Sequence, residues 1–467
     1  MSDERRASAR SSGLLVRGWR GVREAGTLQL AATCVLVLIA IFFARFSWVL
    51  PGGAAEPTPL TNAAERALYD MRAYLAADLV EQDNRIVLVE FDDQALIELG
   101  QRSPLPRGAL AEALENLDQM GAKAIGIDIL FDQPQAEDQL LVDTLRAMQT
   151  PTLVGYATVE TNEEDIVYEQ QEYLEEFMAA IEGDGSNAER ASIRLDNTFG
   201  ATRIWPSIEE GLPPLLGRAM LEASGGPYEK FEGYVGAIEY RRAINDDLTE
   251  EQLASGENVI EKPLFPDMSI TLFLDMDPVV AEIVAAQIED KYVLIGGDIV
   301  DYDRVETSFT SWTGVEPAGL SVHGELIAQM LDGKRLVQVP NWTLWAMAIL
   351  VVATAILTAL LEWPARKLVP LLFGLAIIFV GIPFLLHFRS VDTYGLPAVG
   401  WLVGWIIAFT AVTAAARSAG AAQRSFAQGA LGKYIPRDIA RQIIDEPELL
   451  SLGGEKREIY VLFSDLE

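Results

Sequence analysis

Cysteine occurs once in this sequence, as Cys34, and histidine twice, as His323 and His387. One thiol excludes an intrachain disulfide, so whatever folds here holds together by its core alone. His387 stands at the end of an apolar run, so His323 is expected to have no second histidine outside the membrane to share a metal with, and it reads as a structural residue. Basic charge is scarce as well: 36 Lys and Arg against 68 Asp and Glu leave a net charge of −32. Nucleic acid needs a basic footprint that is missing here, and anionic lipid is equally unsuited as a docking surface. The acidity is local. Residues 51–340 carry a net −36, residues 1–50 a net +4, and the remainder balances. Such a surface serves solubility or a saline habitat.

What the sequence does contain is four long apolar runs: Leu28 to Leu50, Trp342 to Leu361, Leu368 to Leu386 and Leu396 to Ala416. Each is close to the ~20 residues a helix needs to cross a bilayer. The first is longer than the ~7–15 apolar residues of a signal peptide and follows a long basic arm, so it predicts an uncleaved anchor. Arg45, near its far end, can snorkel to the head groups. Arg5, Arg6, Arg10, Arg17, Arg20 and Arg23 precede the first run, Arg366 and Lys367 lie between the second and third, and Arg417 and Arg424 follow the fourth. Positive charge marks the cytoplasmic side, which predicts both termini inside and residues 51–340 outside, in the cell (inner) membrane. Trp342, Trp345, Trp363, Trp401 and Trp405 are expected to anchor span ends at the interface. The last three runs have no acid or base at their centres, so an antiparallel bundle acting as a mount and relay is expected, not a pore.

The outer segment alternates strand and helix. "RIVLVEFD" (Arg85 to Asp92), "AKAIGIDILFD" (Ala122 to Asp132), "PTLVGYATV" and "KYVLIGGDI" (Lys291 to Ile299) read as strands apolar on both faces. "DQALIELG", "SPLPRGALAEALENLDQMG", Glu137 to Met148 and "GLSVHGELIAQMLDG" read as helices. That grammar predicts an α/β domain with a mostly parallel sheet. From Glu160 to about Leu264 loops are expected, with a helix around Tyr168 to Ile181 and a strand at "YVGAIEYR". Asp92, Asp93, Asp128, Asp132 and Asp298 fall at or near strand ends, the edge where open parallel sheets bind ligands. They are candidates for holding a cation or a basic ligand; equally, aspartates there cap the helices that follow. "GGD" at Gly296 to Asp298 allows close backbone approach but is weak as a phosphate signal.

"IVLVEFDDQALIELG" with "PLPR", "GAKAIGIDILFD", "IEYR", "KYVLIGGDIVDYDRVETSF" and "GLSVHGELIAQMLDGKRL" occur in that order and are followed by three apolar runs. Together they resemble the CHASE sensor family of the second class, extracellular sensory modules of bacterial receptors, over most of residues 80–416. One departure is "VETSFTS", where Ser308 stands at a step expected to read Thr-Pro, which leaves the local loop open.

Beyond Arg417 a helix is expected to run on to about Leu431, then a second from Pro436 with Ile439, Ile443 and Ile444 on one face, then a turn at Gly453 and Gly454. "LGKYIPRDIARQII" and the final "YVLFSDLE" resemble the approach to a class III nucleotidyl cyclase domain. The resemblance implies Asp465 as one of two metal-bridging aspartates and the Leu466 carbonyl as a neighbouring ligand, with two divalent cations (Mg or Mn), ATP as substrate and a homodimer. Such ions lower the pKa of the attacking 3′ oxygen and clamp phosphate charge. The rest of that α+β catalytic domain is expected beyond Glu467, so this stretch alone is not a complete enzyme. The expected layout is a cytoplasmic arm (1–27), a span (28–50), the sensor (51–340), three spans (341–416), a cytoplasmic helical linker (417–456) and the first strand of a cyclase (457–467). The sensor's ligand is not named by these residues. Two other outputs stay open: a histidine kinase, against which the lack of histidine in 417–467 counts, and a membrane sensor acting through a bound partner.

Overall fold

The computed structural model describes residues 26–51, 56–100, 105–161, 166–244, 263–299, 304–361 and 363–431, with side chains as far as Arg417. In chain order the elements begin with α1 (Thr27–Phe46), α2 (Asn62–Ala76), β1 (Leu79–Val80), β2 (Ile86–Asp92), α3 (Asp93–Leu99) and α4 (Arg107–Gln119). Then follow β3 (Ala124–Asp128), α5 (Asp138–Ala147), β4 (Thr152–Tyr156), α6 (Tyr168–Ile181), β5 (Ala188–Ser192) and α7 (Leu216–Ala223). After β6 (Arg242–Ala243) come β7 (Asp267–Ser269), α8 (Pro278–Ile288), β8 (Tyr292–Asp298) and α9 (Gly319–Asp332). Three apolar helices close the series, α10 (Asn341–Leu360), α11 (Ala365–His387) and α12 (Ala398–Leu431). The chain divides into two compact units. One comprises Trp48–Thr343 with Val380–Ala398; the other holds residues up to Ser47, Leu344–Phe379 and those from Val399 on.

The first unit is built on six parallel strands in the order β5-β4-β3-β8-β2-β7. The pleat sends alternate side chains to opposite faces, and both faces are apolar. Val87, Val89, Ile125, Ile127, Val293 and Ile295 enter one core with α4, α5, α6 and α8. Ile86, Leu88, Ala124, Tyr292 and Leu294 enter the other with α7 and α9. Leu110, Leu114 and Leu117 form the buried stripe of α4, as their i, i+4, i+7 spacing predicts. Each such side chain, fully buried, is worth about 1.5–3 kcal/mol. β8, the last of these six strands in sequence, sits in the middle of the sheet, paired along all seven of its residues with β2.

Three sequence expectations are corrected here. "YVGAIEYR" makes no ladder: Ala237 has one antiparallel bridge to Ile204, and only Arg242–Ala243 is a strand. The amides of Glu239 and Arg241 instead donate to the side chains of Gln329 (3.3 Å) and Glu325 (3.0 Å) on α9, which satisfies them without a neighbouring strand. The region expected as loops contains the edge strand β5 and the helix α7. The second strand is shorter than expected, ending at Asp128; Phe131 beyond it is buried against Phe177 and the Arg107 guanidinium. The loop at Ser308 is fixed by a parallel bridge between Thr202 and Thr307.

The helices α1, α10, α11 and the Ala398–Arg417 part of α12 are each long and apolar enough to cross a membrane, at 20, 20, 23 and 20 residues. α12 does not stop there; it is a single helix of 34 residues to Leu431, as the sequence predicts. α1 and α12 pack closely. A Cβ on Gly400 would stand 2.2 Å from the Phe43 carbonyl oxygen, and one on Gly404 2.4 Å from that of Ala40. The Arg45 guanidinium lies over the rings of Phe46 and Trp345. Two tryptophans depart from the interfacial role expected of them: Trp401 and Trp405 are buried, Trp405 against Phe379 and Phe409. Trp48, read as part of the first run, lies beyond α1 and belongs to the α/β unit, packed with Tyr69 and Tyr394.

Candidate functional site

Asp92, Asp128 and Asp298 end β2, β3 and β8, three adjacent strands at the centre of the sheet. Register places Asp92 beside Asp298 and Asp128 beside Gly296. Asp92 is the N-cap of α3: its carboxylate accepts the Ala95 N–H at 2.7 Å and the Ser269 hydroxyl at 3.2 Å. Asp298 pairs with Arg304 at 2.5 Å. Burial, then the charges of Asp92, Asp267 and Asp93, push the Asp298 carboxyl above the ordinary carboxylate range, against the pull of Arg304. Glu90 is pushed further, up to about 7, by burial first and then by Asp298, Asp267 and Asp92. Asp92, Asp93 and Asp298 are therefore brought together, joined by Glu90, Asp267 and Arg304, which sequence reasoning passed over. An acid inside the apolar run of "VLVEFD" was the available signal for Glu90.

The other two candidates stand apart. Asp128 faces the buried His323, with Nε2 and Oδ2 3.9 Å apart. Asp132 accepts a hydrogen bond from Gln170 on α6. Among the described residues no group of three His, Cys, Asp or Glu side chains is placed to hold a metal ion. Gly296 has a packing reason for its lack of a side chain, since a Cβ there would come within 2.8 Å of Leu320 on α9. Asp465 and Leu466 lie outside the described residues.

A buried ionic framework fixes the opposite side of the sheet. Arg241 donates from Nε to Glu325 (2.9 Å) and from Nη1 to Asp83 (2.9 Å), all three side chains being under 10 % exposed. Arg85 closes a fork on Asp83 at 2.8 and 2.6 Å. Burial raises the Asp83 carboxyl, but the Arg85 and Arg241 guanidiniums outweigh it and hold it at about 2.

The turn between α11 and α12 is part of this unit. Val391 bridges Val337 in parallel. The buried Arg72 guanidinium donates to the Thr393 hydroxyl and carbonyl, both at 2.9 Å. The Asp392 carboxylate accepts the N–H groups of Ala237 (3.0 Å) and Tyr394 (2.9 Å), and the Trp48 indole donates to the Leu396 carbonyl at 2.9 Å. A link between two apolar helices needs none of this; it is held as firmly as a core loop.

This combination, a parallel α/β unit flanked by apolar helices, has a counterpart among known families. The CHASE2 domain matches residues 35–361, well over half of the chain. The chain belongs to the CHASE2 family. CHASE2 domains are extracellular sensor domains found in signalling receptors. No curated protein matches the chain, and no solved structure does. In the α/β unit the acidic strand ends, the buried Arg241 with Asp83 and Glu325, and the docked 387–396 turn beyond the matched residues are the features open to a sensory role.

Proposed function

We propose that this chain is the sensing and membrane part of a receptor nucleotidyl cyclase, which forms cyclic AMP from ATP under the control of its CHASE2 domain. The carrying observation is α12: it leaves the last apolar segment and continues as one helix for fourteen residues past Arg417. A continuous helix transmits displacement or rotation where a flexible loop would absorb it. It leads towards "LGKYIPRDIARQII" and "YVLFSDLE", the stretches that resemble a class III cyclase entry. In this reading the CHASE2 domain faces outwards, both ends are cytoplasmic as the basic residues suggest, and two chains pair to complete the site. Asp465 and the Leu466 carbonyl would hold divalent cations, Mg or Mn, which supply charge neutralisation and a more acidic 3′ hydroxyl. A histidine-kinase output is disfavoured because residues 417–467 contain no histidine to receive phosphate.

The test uses the product of the whole open reading frame in native-like membranes, supplied with ATP and Mn. Cyclic AMP should form, and Asp465→Asn should reduce the rate by at least about 100-fold, since losing even a group that supports a metal ligand costs about 10–100-fold. A wild-type protein that makes no cyclic nucleotide, or an Asp465→Asn protein with full activity, ends this reading in favour of a sensor acting through a bound partner.

A further inference from the structure

Beside β5, away from the acidic strand ends of β2 and β8, the CHASE2 domain contains a cavity of about 190 Å³. Its apolar wall includes Trp205, Phe231, Tyr234 and Leu212. The three rings form one cluster, with centroids 5.0 to 5.8 Å apart. Their polar ends are already used: the Trp205 indole donates to Gln329 at 3.0 Å and the Tyr234 hydroxyl to the Ala237 carbonyl at 3.1 Å. What this wall offers is ring surface.

Two guanidiniums line the same space, and they differ. Arg194 is tied to Glu209. Arg218, on α7, has a buried Nε with no hydrogen-bond partner among the described residues. Its nearest acid, Glu232, is 3.7 Å from Nη2 and mostly exposed. Such an exposed pair is weak, and an unmet buried donor is costly. The Tyr228 ring, 5.5 Å from the Arg218 Cζ, supports the guanidinium from the side. With Arg194 tied to Glu209, Arg218 is the guanidinium on this wall held only by a weak exposed pair, and a cation so placed beside aromatic surface selects for an anion attached to an apolar body. An apolar cavity of ~150 Å³ accepts benzene, so this one has room for a ring and one carboxylate.

We propose that this cavity is a binding site for a small aromatic or branched apolar monocarboxylate, with Arg218 pairing the carboxylate and the Trp205–Phe231–Tyr234 cluster covering the body. The site deepens the sensor reading by giving it a ligand class. It does not depend on the cyclase output, because binding is read directly.

The experiment is a ligand-observed NMR titration of the full chain in nanodiscs with benzoate. Acetate and benzamide serve as controls for the ring and the charge, and Arg218→Met and Glu232→Gln as variants. Benzoate should saturate below about 10 mM, with acetate and benzamide much weaker. Arg218→Met keeps the side-chain stem and should weaken benzoate at least about 10-fold, the scale of a charge-assisted hydrogen bond. Glu232→Gln removes a competing anion at the surface and should tighten benzoate about two- to threefold. Should Arg218→Met fail to fold, the Glu232→Gln result decides alone. No saturable benzoate binding, equal binding of benzamide, unchanged affinity in a folded Arg218→Met or no tightening in Glu232→Gln overturns the proposal.

Discussion

Glu90 is a carboxyl placed where a carboxylate is unwelcome. It is half-buried in a strand, with Asp92, Asp267 and Asp298 around it and Arg304 the opposing charge. Its folded value of about 7 lies above the ordinary 4.5, so the folded state binds this proton more tightly than the unfolded one. The associated stability is complete below pH 4.5 and is lost as pH rises towards 7. Glu90→Gln removes the penalty. It should melt about 2 °C or more above the wild type at pH 8, with the gap closing near pH 4.5; an equal offset at both pH values refutes the assignment. Arg241 is the opposite case, a buried charge held by two carboxylates, with only its Nη2 left unpartnered among the described residues. Arg241→Met leaves Asp83 and Glu325 without it, and chemical denaturation should show a loss of about 3–5 kcal/mol. A loss under 1 kcal/mol would mean that Arg85 alone satisfies Asp83.

At the scale of elements, two glycines decide how α1 and α12 meet. Gly400 and Gly404 lie one turn apart on α12, each against a backbone carbonyl of α1. Small residues at that spacing let membrane helices approach closely. Gly404→Ile should lower the melting temperature of the detergent-solubilised chain by several degrees, about 2–4 °C for each kcal/mol lost. Gly374→Ile on α11, where a Cβ meets nothing within 4 Å, should change it little. Equal effects of the two substitutions would show that the α1–α12 contact is not the cause. This contact illustrates which information a sequence carries openly. The apolar length of each run was legible, because it needs only counting; the partner of Gly404 was not, because it lies more than 350 positions away. α4 was legible for the same local reason, through Leu110, Leu114 and Leu117. β5, "AERAS", was hidden: it has no β-branched residue or alternation strong enough to stand out, and it is a strand because β4 pairs with it. Of the candidate carboxylates, strand-end position was readable for Asp92, Asp128 and Asp298. That Glu90, Asp267 and Arg304 join two of them depends on β7 and β8 flanking β2, a sheet order set by tertiary packing.

For the whole molecule, the cavity and the α11–α12 turn are joined by a short series of contacts. Tyr234, on the cavity wall, donates to the Ala237 carbonyl, and the Ala237 N–H donates to Asp392 in the turn. Val337 holds the same turn through Val391, and Arg72 through Thr393. None of this was visible in "HFRSVDTYG", which reads as a short link; its excess of specific polar residues for so short a connection was the one available sign. The turn is folded against the α/β unit, so in the proposed receptor the bilayer would act as an effector of that unit. Tension or a change in lipid thickness that strained α11 and α12 would work against the hydrogen bonds of Asp392 and Thr393. Linkage is reciprocal: to the extent that a ligand in the cavity shifts the turn, a thinner or stretched membrane must shift the affinity for that ligand by the same factor.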